Sequence, residues 1–109
     1  MMDDAEITAI VSQYAMHGWT LRRVLLSDEL RKKFHGGDDR FGSAEIIYSD
    51  INALWFSRPS RPNAETWELR RLGVPAYALD AFLNSEMDAA QQDEVLRNAE
   101  ERLRDNLSN

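Results

Sequence analysis

Cysteine is absent from this 109-residue sequence. That absence removes disulfides, thiolate nucleophiles, cysteine-ligated zinc and iron–sulfur clusters together. A cysteine-free chain fits a reducing compartment, so the cytoplasm is the expected location. Long hydrophobic runs are missing too: the longest uncharged segment, residues 7–21, is broken by Ser12, Gln13, His17 and Gly18 and is shorter than a bilayer span. The acidic start M-M-D-D-A-E lacks the basic residues of a secretion signal. No membrane partner is expected.

Excess positive charge is also lacking. The net charge is -6, and residues 76–109 carry 3 Lys/Arg against 8 Asp/Glu, while residues 17–75 carry 10 against 8. Such a chain repels a phosphate backbone overall, which argues against nucleic acid as a partner, although the middle segment can hold an anion locally. Catalytic signatures are scarce. With 2 histidines, no G-x-S-x-G and no phosphate-cradling glycine loop, only carboxylate acid/base chemistry is left, and no pair of carboxylates stands out for it. No cofactor or metal is expected: His35 with Asp38 and Asp39, or Asp50 with Asn52, match neither an EF-hand loop nor a zinc-binding helix.

What the chain does hold is organised around residues 49–72, S-D-I-N-A-L-W-F-S-R-P-S-R-P-N-A-E-T-W-E-L-R-R-L. Two apolar stretches, 51–56 and 67–72, flank a connection containing Pro59 and Pro62, neither of which can donate a ladder hydrogen bond. A hairpin centred near Arg61 would set Trp55 opposite Trp67 and Ala53 opposite Leu69 on one face. Asn52, Leu54 and Phe56 would then meet Arg70, Glu68 and Thr66 on the other.

Upstream, Ile7, Ile10, Val11 and Tyr14 fall on one face of a helix capped by Asp3 or Asp4 and ended near Gly18. The segment W-T-L-R-R-V-L-L, residues 19–26, alternates like a strand, and Ser27 with Asp28 and Glu29 opens a short helix. Its first six residues echo W-E-L-R-R-L at 67–72, consistent with similar strands in one sheet. Residues 35–42, H-G-G-D-D-R-F-G, hold three of the five glycines and read as a loop. Extended structure resumes at 44–48 and leads towards the hairpin.

After Leu72, Pro75 fits the first turn of a helix with Leu79, Phe82 and Leu83 on one face. A last helix capped by Asn84 or Ser85 follows, with Leu96, Ala99, Leu103 and Leu107 as its stripe. Asp93 with Arg97 and Glu100 with Arg104 form i,i+4 pairs. The expected fold is one α+β domain over residues 1–109: an antiparallel sheet of about three strands, packed against an N-terminal helix and two C-terminal helices.

Tryptophan and arginine are the residue types that most often anchor protein interfaces. Trp55, Trp67, Arg58, Arg70, Arg71 and Arg22 are therefore the candidate binding residues, and the expected function is a protein-interaction module using the hairpin surface for a partner or for a second copy, as a homodimer. The alternative is an anion or small-ligand site, open to enzymatic use, where one arginine from each strand, Arg22 with Arg70 or Arg23 with Arg71, shares a face beside the 35–42 loop. Against both stands internal use: arginines paired to Asp50, Glu65 or Glu68, and indoles filling the core.

Overall fold

The computed structural model describes residues 4–33, 41–73 and 75–107. The first helix, α1 (Asp4–Met16), turns its apolar residues Ile7, Ile10, Val11 and Tyr14 inward. It ends where expected: Trp19 N–H donates back to Tyr14 O at 3.0 Å, and Gly18 between them adopts a φ of 84°, a left-handed conformation that costs glycine little. Strand β1 (Thr20–Leu26) and the short helix α2 (Asp28–Lys33) follow, divided at Ser27, whose carbonyl accepts the Arg31 N–H at 2.9 Å. Then come β2 (Glu45–Tyr48), β3 (Ala53–Arg61), β4 (Ala64–Arg71), β5 (Ala78–Asn84) and the long helix α3 (Ala89–Leu107).

The molecule is α+β, with one sheet of five strands in the order β2-β1-β3-β4-β5 and three helices. Three differences from the sequence-based expectation stand out. Residues 45–48 form a separate strand that pairs parallel to β1, so the sheet is mixed. The first of the two expected C-terminal helices is instead β5, antiparallel to β4. Its side chains alternate, with Leu79, Ala81 and Leu83 buried and the residues between them exposed. The helical pattern draws on Phe82, which is exposed in the strand. Third, α3 starts at Ala89 rather than near Asn84: Asp88 Oδ1 accepts Gln91 N–H at 2.8 Å while Gln91 Oε1 accepts Asp88 N–H at 2.9 Å, a reciprocal capping box. Asn84 Oδ1 serves the preceding turn, accepting Glu86 N–H at 3.0 Å.

The hairpin has the expected faces and a register two residues away from that expected. Ser57 pairs with Trp67, Trp55 with Leu69 and Ala53 with Arg71. The turn sits later than Arg61, with Asn63 at a φ of 65°, the left-handed region that asparagine tolerates best after glycine. Pro59 lies within β3, not in the connection. The odd residues of β3 turn their backbone groups towards β1, and that pairing stops at Ser57, so the missing N–H of Pro59 falls just past the end of the neighbouring strand.

Each face of the sheet has its own core. On one, Leu25, Ala53, Trp55, Trp67, Leu69, Leu79, Ala81 and Leu83 pack against Leu96, Ala99 and Leu103 of α3. On the other, Val24, Leu26, Leu54 and Phe56 pack against Ile7 of α1 and Leu30 of α2. Leu107, expected in the α3 stripe, is 39% exposed. No helix of the described residues is long and apolar enough to cross a membrane.

Candidate interaction surface

Trp55 and Trp67 belong to the core under α3. Trp55 is 0% exposed and Trp67 5%, their rings meeting edge to face with centroids 6.0 Å apart. The Trp55 indole N–H donates to Glu100 Oε2 at 2.9 Å, so even its polar edge is committed to α3. These two rings pack between the sheet and α3 and expose almost nothing to solvent.

The arginines divide between the two faces. A β-bulge in β1 places Leu21 opposite Phe56 and Arg23 opposite Trp55, leaving Arg22 as the extra residue. Consecutive arginines that would alternate in a regular strand therefore fall on the same side, with guanidinium carbons 4.7 Å (Arg22) and 6.0 Å (Arg23) from the Trp67 ring centroid. Arg22 also donates to Ser57 Oγ at 3.0 Å and lies 3.6 Å from Glu65, while Arg23 reaches Glu45 at 3.6 Å and Asp93 at 3.3 Å. Arg71 donates to Pro75 O at 2.7 Å. Arg70 is on the opposite face from Arg22, so the bidentate pair considered from sequence is not formed by those two residues.

The α1 side of the sheet carries further polar and apolar groups. Among the described residues, α1 and α2 pack over β1 and β3 there, α1 reaches β4 through Tyr14, and the outward side chains of β5 are exposed. Tyr14, at the border, stacks on Phe56 with centroids 4.0 Å apart and meets Trp19 edge to face at 6.0 Å. Its hydroxyl donates to Glu68 Oε2. Beyond it runs a half-buried row on β4, Thr66, Glu68 and Arg70, and an exposed row on β5, Ala78, Asp80, Phe82 and Asn84. Gln13, Tyr14, His17, Trp19, Glu68 and Arg70 line a hollow of about 310 Å³ at the end of α1. Arg58 lies over the Trp19 ring at 4.5 Å and donates to His17 O at 3.3 Å. The Phe82 ring, 65% exposed, is the largest apolar group of that exposed row.

Electrostatics on this surface centre on Glu68 and Asp80, cross-strand partners. Burial raises the Glu68 carboxyl above its ordinary value, and the hydrogen bond and negative charge of Asp80 raise it further, against the Tyr14 hydroxyl, which lowers it. Burial and the Glu68 contact likewise raise Tyr14, so it keeps its proton and acts as donor.

Among the described residues there is no group of three or more His, Asp and Glu able to hold a metal ion. Asp50 is drawn instead to Arg104 Nε at 2.6 Å, and Asn52 Oδ1 accepts Ser27 N–H at 2.7 Å. His35, Asp38 and Asp39, and with them most of the 35–42 loop, lie outside the described residues. No protein-family model matches the chain, and no curated protein or solved structure matches it with significance. The residues missed from sequence are Tyr14, Glu68, Asp80 and Phe82. The signal for the last two was the alternation in A-L-D-A-F-L-N.

Proposed function

We propose that the protein is a protein-interaction module whose contact surface is the α1-side face of β4 and β5. The observation that carries this is the exposed Phe82 ring on the edge strand β5, beside the half-buried row of β4. Beside it, Thr66, Glu68 and Arg70 on β4 and Asp80 on its own strand supply polar groups, and the Trp19–Arg58 stack borders the same side. An apolar aromatic centre with a polar rim is the ordinary anatomy of a protein contact. On the α1 side the tryptophan beside arginine is Trp19, with Arg58 and Arg70 nearby, while Arg22 and Arg23 lie over Trp67 on the other side. The other function considered, an anion or small-ligand site, has less support: Arg22 faces Glu65, and Arg70 shares its hollow with Glu68.

Site-specific photocrosslinking tests this. Benzoyl-phenylalanine at position 82 is expected to give a discrete protein adduct in cells, and the same group at Glu101, exposed on α3, is expected to give none. Equal labelling at both positions, or no adduct at 82, would remove the proposal.

A further inference from the structure

We infer that the β5 border of this surface pairs with a second copy of the chain, edge to edge and antiparallel, centred on Phe82; this rests on the protein-interaction reading above. The backbone supplies the first reason. Arg71 N–H donates to Tyr77 O at 2.8 Å and Ser85 N–H to Asn63 O at 2.9 Å, and the β4–β5 register is unbroken between them. Bonded pairs recur at every second residue of an antiparallel ladder, so 79, 81 and 83 bond to β4 and the backbone groups of Ala78, Asp80 and Phe82 point out of the sheet. Among the described residues no strand pairs with that edge. It has no proline. The same residues whose side chains are exposed thus also offer unpaired N–H and C=O groups, a template that natural edges usually guard. Helix α3 packs on the other face of β5, so it does not stand in the path of an incoming strand.

Side-chain chemistry selects the register of such a two-fold pairing. Outward groups sit on even residues, and the two-fold pairings that keep three or more strand residues of each copy paired centre on Asp80, Ala81 or Phe82. Centring on Asp80 opposes two carboxylates, and centring on Ala81 sets each carboxylate against a Phe82 ring. Centring on Phe82 pairs the two rings and places each Asp80 opposite Asn84 of the other copy. Asn84 Oδ1 is already occupied by Glu86 N–H at 3.0 Å, which leaves its amide N–H groups to donate to that carboxylate. Aromatic pairs and complementary polar pairs across strands are favourable, and like charges are not. The strand carries one charge, Asp80, so the net charge of -6 on each copy opposes association at a distance rather than at the seam. Salt is therefore expected to strengthen it. A single-strand seam buries less than the ~1,600 Å² of a typical stable complex, so the dimer is expected to be concentration-dependent.

The test is mass in solution by sedimentation across a concentration range, for the native chain, Phe82→Lys, Phe82→Glu and an equimolar mixture of the two variants. The native mass is expected to rise from 12.6 kDa towards twice that value. Each variant alone is expected to stay monomeric, because identical charges meet across the two-fold, and the mixture to recover the dimer. Phe82→Pro removes an outward N–H without touching the β4 ladder, and is expected to be a folded monomer. A native chain that stays at 12.6 kDa throughout overturns self-pairing. So does a Phe82→Lys variant that associates more tightly alone, since that result sets position 82 against Asp80 and not against itself. A monomer whose position 82 still crosslinks to a different protein overturns the self-pairing and keeps the interaction surface. A monomer with no adduct removes both.

Discussion

Trp55 shows how one side chain can look like a contact residue in sequence and be a fastener in the structure. Its ring is fully covered and its N–H is bound by Glu100 at 2.9 Å. Replacing it with phenylalanine removes both the hydrogen bond and part of the packed volume. Trp55→Phe is expected to cost about 2 kcal/mol in urea unfolding, and an unchanged midpoint would show that α3 is held by something else. Glu68 makes a prediction with a definite sign. Its folded carboxyl titrates above the ordinary 4.5, chiefly because it is half-buried and then because of Asp80. A raised value means that the folded protein holds this proton more tightly than the unfolded chain. The resulting stability is full below pH 4.5 and is lost as pH rises through the folded value. Glu68→Gln is therefore expected to show a flatter stability between pH 4.5 and 7 than the native chain, read from urea midpoints at several pH values. Parallel profiles would mean that Glu68 is not desolvated under Tyr14. Asp50 acts in the other direction: the Arg104 hydrogen bond lowers its titration, and its contribution is lost as pH falls below about 3.8. That loss falls below the pH 4.5 to 7 range in which Glu68→Gln is compared with the native chain.

At the scale of elements, what was legible in the sequence is what local periodicity decides. The first helix and its end at Gly18, the strand and short helix divided at Ser27, and the hairpin itself all follow from local signals that tertiary packing does not oppose. The rest depended on neighbours. A-L-D-A-F-L-N satisfies a strand with Leu79, Ala81 and Leu83 inside, but Leu79, Phe82 and Leu83 also fit one helical face, and only the β4 edge decides between them. Pro59 could enter β3 because β1 ends beside it, a fact about another segment. The echo between residues 19–24 and 67–72 is likewise deceptive: the bulge at Arg22 leaves Trp19 and Leu21 on the α1 side, whereas Trp67 and Leu69 are on the α3 side. Helix α3 illustrates the same point with charges. Asp93 meets Arg23 and Arg104 meets Asp50, ties between elements that sequence spacing alone assigned within the helix. Its start is set locally by the Asp88–Gln91 capping box, so Asp88→Ala is expected to lower stability by about 1 kcal/mol, measured by thermal or urea unfolding. Loss of less than a few tenths would place the helix start elsewhere.

For the whole molecule, the two cores follow from one arrangement: a five-stranded sheet with α3 behind β4 and β5 and the smaller helices α1 and α2 in front of β1 and β3. The front of β4 and β5, with Phe82 and the outer edge, is the surface proposed for another molecule. Amide hydrogen exchange along β5 at low and high protein concentration tests this most directly. In dilute solution Leu79, Ala81 and Leu83 are expected to be protected and Asp80 and Phe82 to exchange quickly, and on concentration Asp80 and Phe82 are expected to become protected as the seam forms. Uniform protection of all five amides in dilute solution, or fast exchange at Asp80 and Phe82 at every concentration, would contradict a free edge that pairs with its own copy.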